Sequence, residues 1–398
     1  VFFDEIHIKY ESKYIEERRI SKYGLDSQIL LHLEEIIMAQ KRTENDVVLD
    51  FRNKDFSRMS EKGLPEPADQ AHPLKVLSLF GGIGADLRAL TNCGYNVKSI
   101  DYVEVLPYAV LAYNRIFECG PKPQDIRIWN MHPDIVVHGS PCQDWSQEGK
   151  NNINTGRSIL FERALQILDP SPLNGHPELT AQPKVVVWEN VPRLLWAYKD
   201  VLEYYISVME EFGYVSYYQV LKASDYNIPQ DRERIFVVSI LKKVPNAESF
   251  TFPEKMKPKW TLKQFIDKTV AFDDPRVQLK EAEKKLLFEL PDGTLAVREG
   301  TQTRRGRVGT CCKTITTGPR QAVYYGGKIR MLTAKEYMRF MGYRDVDYKK
   351  MSDAGITDDQ ICTLAGNSIC VPVLETLFRQ LASYDIIPKP EDTYEKKA

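Results

Sequence analysis

Several things are missing from this chain of 398 residues. Its seven cysteines stand at 93, 119, 142, 311, 312, 362 and 370. They form no Cys-x-x-Cys pair and no Cys/His spacing of the kind that holds zinc, so no metal is expected. An odd count without a disulfide-like framework fits a reducing cytosol. No apolar run long enough to span a bilayer and no signal-peptide pattern is read in it, so no membrane partner is expected. The chain opens on Val1 and not on Met, as a missing or processed start would leave it. Charge of either sign is not in excess: 54 basic against 55 acidic side chains give a net −1, which offers a polyanion no global attraction. Any nucleic-acid binding must then come from local basic patches.

What is present is ordinary globular composition, 43% hydrophobic and 27% charged, long enough for two or three domains with a substantial core. Residues 1–72 read as a charged, mostly helical N-terminal extension. Ser27 to Ala39 sets Ile29, Leu30, Leu33, Ile36 and Ile37 on one helical face. The extension carries no chemical motif. An accessory layer is the simplest reading, with a partner or DNA contact left open. Glu61 to Asp69, punctuated by Gly63, Pro65 and Pro67, reads as a linker.

At Leu74 the pattern changes to alternating strands and helices. Lys75 to Phe80 is an apolar strand run, and Gly81-Gly82-Ile83-Gly84 leads into a helix. Glycines between strand and helix let the backbone approach a ligand at the helix N-terminus. Asn96 to Val103 is a second strand ending at Glu104. An acid about 20 residues after the glycines is placed for the two ribose hydroxyls of a nucleoside cofactor, the alternative being a solvated surface acid. Ile135 to Val137 reads as a buried strand broken by Gly139 and Pro141, so Cys142 falls just past a strand's carboxyl end, where open α/β sheets do their chemistry. Taken alone, Cys142 could equally be a buried structural cysteine. Pro183 to Trp188 is a further strand, ending at Glu189-Asn190. Helices are expected over Ile159 to Leu168 and Val201 to Phe212, and an edge hairpin from Tyr217 to Leu221 and Ile235 to Ile240. The whole is a doubly wound α/β domain over 73–243.

From Leu241 the periodicity weakens, and loops are expected up to Gly327 in a smaller, irregular domain over 244–328. Arg298, Arg304, Arg305, Arg307, Lys313, Arg320, Lys328 and Arg330 make its end basic, either as a solvated face or as loops laid on phosphates. Thr333 with Glu336 has capping-box spacing, opening a helix that Gly342 ends. Residues 329–387 return to the α/β domain and finish in an amphipathic helix from Val371 to Leu381. The tail, 388–398, is expected to be disordered.

A thiol, an acid and paired arginines (Cys142, Glu189, Arg232 and Arg234) around a nucleoside site suit transient covalent activation of a pyrimidine. In the order of their motifs the residues resemble the cytosine-C5 DNA methyltransferases that use S-adenosylmethionine. The motifs are Phe80-Gly81-Gly82-Ile83-Gly84; Glu104; Asp125-Ile126; Gly139-Ser140-Pro141-Cys142-Gln143 with Ser146; Gly156-Arg157 with Leu160-Phe161; Glu189-Asn190-Val191; Ile228 to Arg234; Arg330 to Gly342; and Ala365-Gly366-Asn367-Ser368. Any one is weak or moderate; the ordered set, spanning about Leu77 to Leu381, is specific.

That resemblance implies a Rossmann-like methyltransferase sheet with a target-recognition domain. It also implies roles. Cys142 attacks C6 of a flipped-out cytosine, Glu189 holds N3 and the amino group, and Arg234, with Arg232, holds the O2 side. Phe80, Gly82, Ile83, Glu104, Val105, Asp125, Ile126, Pro141, Leu160, Asn367 and Ser368 would form the cofactor pocket, with S-adenosylhomocysteine as product. Gln143, Ser146, Arg157, Gln230, Arg304, Arg305, Arg307 and Thr314 would meet DNA. For each recognition arginine a phosphate contact is the safer assignment than a guanine. Gln143 to Gly156 matches the family's mobile loop over the flipped base.

Three positions depart from the pattern. Val105 replaces a stacking aromatic, Asn227 a glycine that often needs positive φ, and Gln124 a glycine before Asp125. The resemblance implies double-stranded DNA as partner, a restriction endonuclease as functional counterpart, a monomer, and a cytoplasmic, nucleoid-associated location in a prokaryotic or viral setting. The rival readings are an RNA cytosine methyltransferase on the same fold, a non-catalytic DNA-binding member and, on the glycine loop alone, a nicotinamide dehydrogenase.

Overall fold

A computed structural model describes residues 73–104, 106–118, 133–139, 182–257, 259–279, 295–299, 308–309, 311–317, 321–325 and 328–394, together with Phe161, Ala164, Leu165 and 167–169. The N-terminal extension lies outside the described residues.

The first half follows the expected alternation. Strand β1 (Leu74–Leu79) leads to helix α1 (Ala85–Asn92), β2 (Val97–Val103), α2 (Pro107–Phe117), β3 (Ile135–His138) and β4 (Val185–Asn190). Helix α3 (Lys199–Glu211), β5 (Tyr214–Lys222), the two-residue β6 (Gln230–Asp231) and β7 (Glu233–Leu241) follow. The main sheet has the order β2-β1-β3-β4-β7-β5. The first four strands run parallel, while β7 runs antiparallel to both β4 and β5, which is the expected edge hairpin.

Every residue of β3 and β4 is buried, which is why both read as unbroken apolar runs: helices cover both faces. The period-2 alternation divides them. Val185 and Val187 join one core with Val76, Tyr337, Leu374 and Phe378. Val186 and Trp188 join the other with Phe161, Leu202, Tyr205 and Met209. Because β7 reverses direction, its start meets the carboxyl end of β4, with Glu189 opposite Phe236 and Asn190 opposite Ile235. That edge is where β3 also ends.

The region beyond 244 is more regular than its sequence suggests. Strands β8 (Leu295–Glu299), β9 (Val308–Gly309), β11 (Gln321–Tyr325) and β12 (Lys328–Met331) form an antiparallel sheet of order β12-β11-β8-β9, while β10 (Cys312–Lys313) pairs in parallel with β6. Its strands are two to five residues long, too short for a period to show in the sequence. Strand β12 runs across the expected boundary at 328.

Arg330 is not part of a basic surface. It is fully buried, with Nη2 2.7 Å from Glu336 Oε1, and Glu336 also accepts from the amides of Asp267 and Thr333. This pair fastens β12 to helix α4 (Ala334–Phe340), whose Thr333/Glu336 capping box forms as expected. Gly342, at φ 89, ends the helix where a β-carbon would lie 2.3 Å from Pro372.

Helices α5 (Asp345–Asp353), α6 (Asp358–Asn367) and α7 (Val371–Ser383) complete the fold. Helix α7 buries Val371, Leu374, Leu377, Phe378 and Leu381 along one stripe. The stretch Asp358–Ser383 is apolar and long enough for a membrane span, but it is two helices broken at Ser368–Cys370 and packed into the core.

The tail differs from expectation up to Tyr394. Pro390–Thr393 form a 3-10 turn, and Thr393 is buried, accepting from Asn96 N at 3.0 Å while its carbonyl accepts from Asn96 Nδ2 at 3.0 Å. Asn96 needs those partners, and residues so far apart in sequence give no local sign of it.

Candidate active site

The glycine loop leaves β1 with Phe80 in the left-handed region, φ 57, an uncommon conformation for a non-glycine residue and one found at ligand sites. Gly84, at φ 69, must lack a side chain: a β-carbon there would lie 2.6 Å from the rings of Tyr113 and Phe117. At Gly82 the opposite holds, since a β-carbon would meet nothing within 4 Å. The loop is therefore pressed against the aromatic wall on one side and open on the other.

Glu104 faces that opening. Its carboxylate accepts from Gly82 N at 3.1 Å and from Leu106 N at 3.0 Å, which fixes it at the end of β2. The Tyr102 hydroxyl donates to the Gly82 carbonyl from beneath. Asp86, in the first turn of α1, is buried and accepts from the Ser78 hydroxyl, and burial pushes its carboxyl up. Asn367 is exposed at the end of α6, whereas the Ser368 hydroxyl is buried 3.1 Å from that of Tyr343. Tyr102 and Tyr343 went unnoticed in the sequence, where nothing distinguishes them from other core aromatics.

On the neighbouring strands, Glu189 Oε1 lies 3.1 Å from Arg234 Nε, both side chains largely buried at the carboxyl edge of β4. Arg234 also donates to the Glu233 carbonyl. A β-carbon on Gly139 would lie 3.7 Å from Glu189 Oε2, so the end of β3 abuts the acid directly. His138, just before Gly139, stacks on Trp188 with ring centroids 5.9 Å apart, and neither ring nitrogen has a hydrogen-bond partner among the described residues. Burial alone pushes it down to about 3, so it stands neutral beneath the site at physiological pH.

Cys142, Val105, Asp125, Ile126, Pro141, Gln143, Ser146, Arg157, Leu160, Arg304, Arg305 and Arg307 lie outside the described residues.

Two assignments in the Ile228–Arg234 motif need correction. Gln230 is not a DNA contact: it is fully buried, donating to the Phe340 carbonyl at 2.7 Å and accepting from Ile315 N at 3.0 Å. Arg232, assigned with Arg234 to the O2 side, makes no ion pair with Glu189 among the described residues. It is buried and donates to the carbonyls of Ile315, Gly366 and Ser368, tying β6 and β7 to the end of α6. The same close packing leaves Gly366 no room, since a β-carbon would lie 2.4 Å from the Thr316 carbonyl carbon. Thr314 spends its hydroxyl on the Asp231 carbonyl at 3.0 Å. Asn227 does adopt positive φ, 66, as its place in the motif requires. Of the two arginines, Arg234 alone meets the acid.

Comparison with known proteins bears on this arrangement. The chain is similar to the type II methyltransferase M2.ScrFI of Lactococcus lactis subsp. cremoris, 31% identical over 260 residues that cover 62% of this chain and 66% of that protein. It thus spans just under two thirds of that relative's length. It is 29% identical over 323 residues to the type II methyltransferase M.NgoBI of Neisseria gonorrhoeae, covering 76% of this chain and 90% of the other. In fold alone it resembles the S. pombe Dnmt2 methyltransferase, with TM-score 0.58 at 19% identity over 78% of this chain and 98% of that one. The family model for C-5 cytosine-specific DNA methylases matches residues 74–383, from the first residue of β1 to the last of α7. With its glycine loop, Glu104 and the Glu189–Arg234 pair on one sheet edge, the chain belongs to the C-5 cytosine-specific DNA methylase family.

Proposed function

We propose that the protein transfers a methyl group from S-adenosylmethionine to C5 of a cytosine flipped out of a specific duplex DNA sequence, through a covalent bond to Cys142. The observation that carries this reading is the Glu189–Arg234 pair packed against Gly139, three residues before Cys142 in the chain. Three residues reach at most about 10 Å, so nucleophile, acid and cation can serve one ring.

The described residues fit the cofactor. Gly82 opens onto free space and the Glu104 carboxylate stands beside it for the ribose hydroxyls, while Phe80 and Asn367 join them by the family pattern and Ile83, buried in the core, backs the loop. Val105, Asp125, Ile126, Pro141, Leu160 and Ser368 are further pocket residues by the family pattern. When bound, S-adenosylmethionine supplies an electrophilic methyl group on a sulfonium.

The chain's own residues do the rest. The Cys142 thiolate adds to C6, the electron pair moves into the ring, and Glu189 delivers a proton at N3 while holding the amino group. Arg234 holds O2 and offsets the charge developing there. C5 then takes the methyl group, N3 returns its proton to Glu189, a base removes the C5 proton, and expulsion of the Cys142 thiolate restores the ring. Gln143 and Ser146 belong to the loop that closes over the base, and Arg157, Arg304, Arg305 and Arg307 are the candidate DNA contacts.

A monomer working in the cytoplasm, beside a restriction endonuclease of matching specificity, completes the proposal. The test is labelled-methyl transfer to duplex DNA and to tRNA side by side. Incorporation into duplex DNA is expected, and incorporation into tRNA alone would overturn the substrate assignment.

A further inference from the structure

Asp231 takes two lysines at once. Lys222 Nζ lies 2.9 Å from its Oδ1 and Lys313 Nζ 2.7 Å from its Oδ2, and the Cys311 thiol bonds to the same carboxylate. Burial would raise that carboxyl, but the two ammonium groups outweigh it and hold it below the ordinary range, so it is ionised at neutral pH. Each ammonium has three N–H donors, and among the described residues neither lysine has another ion-pair or hydrogen-bond partner. Lys222, Lys313 and Asp231 are all part-exposed, at 35%, 28% and 23%. Glu233, exposed and opposite Lys222 on β7, is a further negative charge close by.

The strand registers give the cluster a direction as well as a distance. Asn190, Ile235 and Val220 form one row across β4, β7 and β5, and β5 runs parallel to β4 because both oppose β7. Lys222, two residues past Val220, therefore lies about 10 Å to the side of Asn190 and about 7 Å further out along the strands. That is the sheet edge at which a cytosine meets Glu189. On the same side β10 sets Lys313 opposite Asp231, and β10 packs against β8 of the small sheet. The cluster thus stands between the catalytic edge and the region assigned to DNA recognition.

We propose that Lys222 and Lys313 grip a backbone phosphate of the bound duplex, and that Asp231 holds their place until DNA arrives. The proposal rests on the DNA-methyltransferase reading. A phosphodiester offers two free oxygens much as a carboxylate does, so the two ammonium groups exchange one anion for another. Long, part-exposed lysine stems let them turn outward, and the ion pairs they leave are of the kind worth little in water. Binding the phosphate also releases counterions from the DNA, a gain that the pairing with Asp231 does not offer.

The test measures duplex affinity over a range of salt for full-chain wild type, K222M, K313M and D231N. One duplex carries a site mapped by bisulfite sequencing and a second carries none, and all binding is read well below each variant's thermal midpoint. K222M and K313M are each expected to bind both duplexes about three- to tenfold more weakly, with the slope of log K against log salt shallower by about one. D231N, freed of the competing carboxylate, is expected to bind both about threefold tighter at low salt. Wild-type affinity and salt slope in both lysine variants would overturn the phosphate grip and leave a structural clamp between β5, β6 and β10. D231N binding no tighter than wild type would overturn the place-holding role. If wild-type protein binds and methylates no duplex DNA at all, the broader reading fails instead, which separates the two.

Discussion

Substituting Gln230→Ala removes a side chain that the motif pattern assigns to DNA and the fold assigns to itself. Gln230 is wholly inaccessible, and its amide closes two gaps at once: the Phe340 carbonyl at the end of α4 and the Ile315 amide next to β10. Removing it leaves both backbone groups buried without a partner, at about 1–3 kcal/mol each. The truncation also opens space beside Met341 and Cys370, whose sulfurs now lie 3.4 and 3.7 Å from Nε2. A total destabilisation of about 2–5 kcal/mol follows, which should lower the thermal midpoint by roughly 5 °C or more. The assay pairs thermal or urea unfolding with DNA binding measured well below the transition, where the variant is folded. Loss of stability with near wild-type affinity is expected. Wild-type stability with weakened DNA binding would refute the reasoning and restore Gln230 as a DNA contact.

Other substitutions separate structure from chemistry in the same way. Arg232→Met should destabilise by losing its three bonds to buried carbonyls, whereas Arg234→Met should leave the midpoint almost unmoved and lower methyl transfer about 100-fold or more. Equal effects on turnover with equal stability would contradict this division. Arg330→Met leaves Glu336 charged and buried, and should cost about 3–5 kcal/mol in urea unfolding; a cost below 1 kcal/mol would show the pair to be dispensable. For Asp267, burial would raise the carboxyl, but the Lys335 ammonium 2.9 Å away and the Thr269 hydrogen bonds outweigh it and hold it at about 2. Because the folded value lies below the ordinary one, its contribution of about 2 kcal/mol is present above pH 4 and lost as pH falls toward 2. Asp267→Asn should flatten stability across that window, and an unchanged acid profile would count against the assignment.

The sequence made the catalytic edge legible because the chemistry there is local. The glycine loop, Glu104 and the strand ending at Glu189 are each read from a few neighbouring residues, and parallel pairing brings their ends together. What escaped reading depends on distant partners. Gln230, Arg232 and Arg234 alternate along one extended stretch, and period 2 places them on one face, yet that face is covered for Gln230 and Arg232 by segments more than 80 residues further on. Arg330 looked like one of a run of surface cations because its partner Glu336 already served as a capping residue. Thr393 looked like part of a free tail because the amide it satisfies, Asn96, lies 297 residues earlier.

The central claim is a covalent bond between Cys142 and a cytosine. Incubating the full chain with cofactor and a duplex carrying 5-fluorocytosine at the mapped target position tests it most directly, because fluorine at C5 blocks the last elimination. A denaturation-resistant protein–DNA adduct, formed by wild type and absent from Cys142→Ser, is the expected result. Adduct formation that survives Cys142→Ser would move the nucleophile elsewhere, and no adduct from a wild-type protein that methylates the unmodified duplex would contradict covalent catalysis.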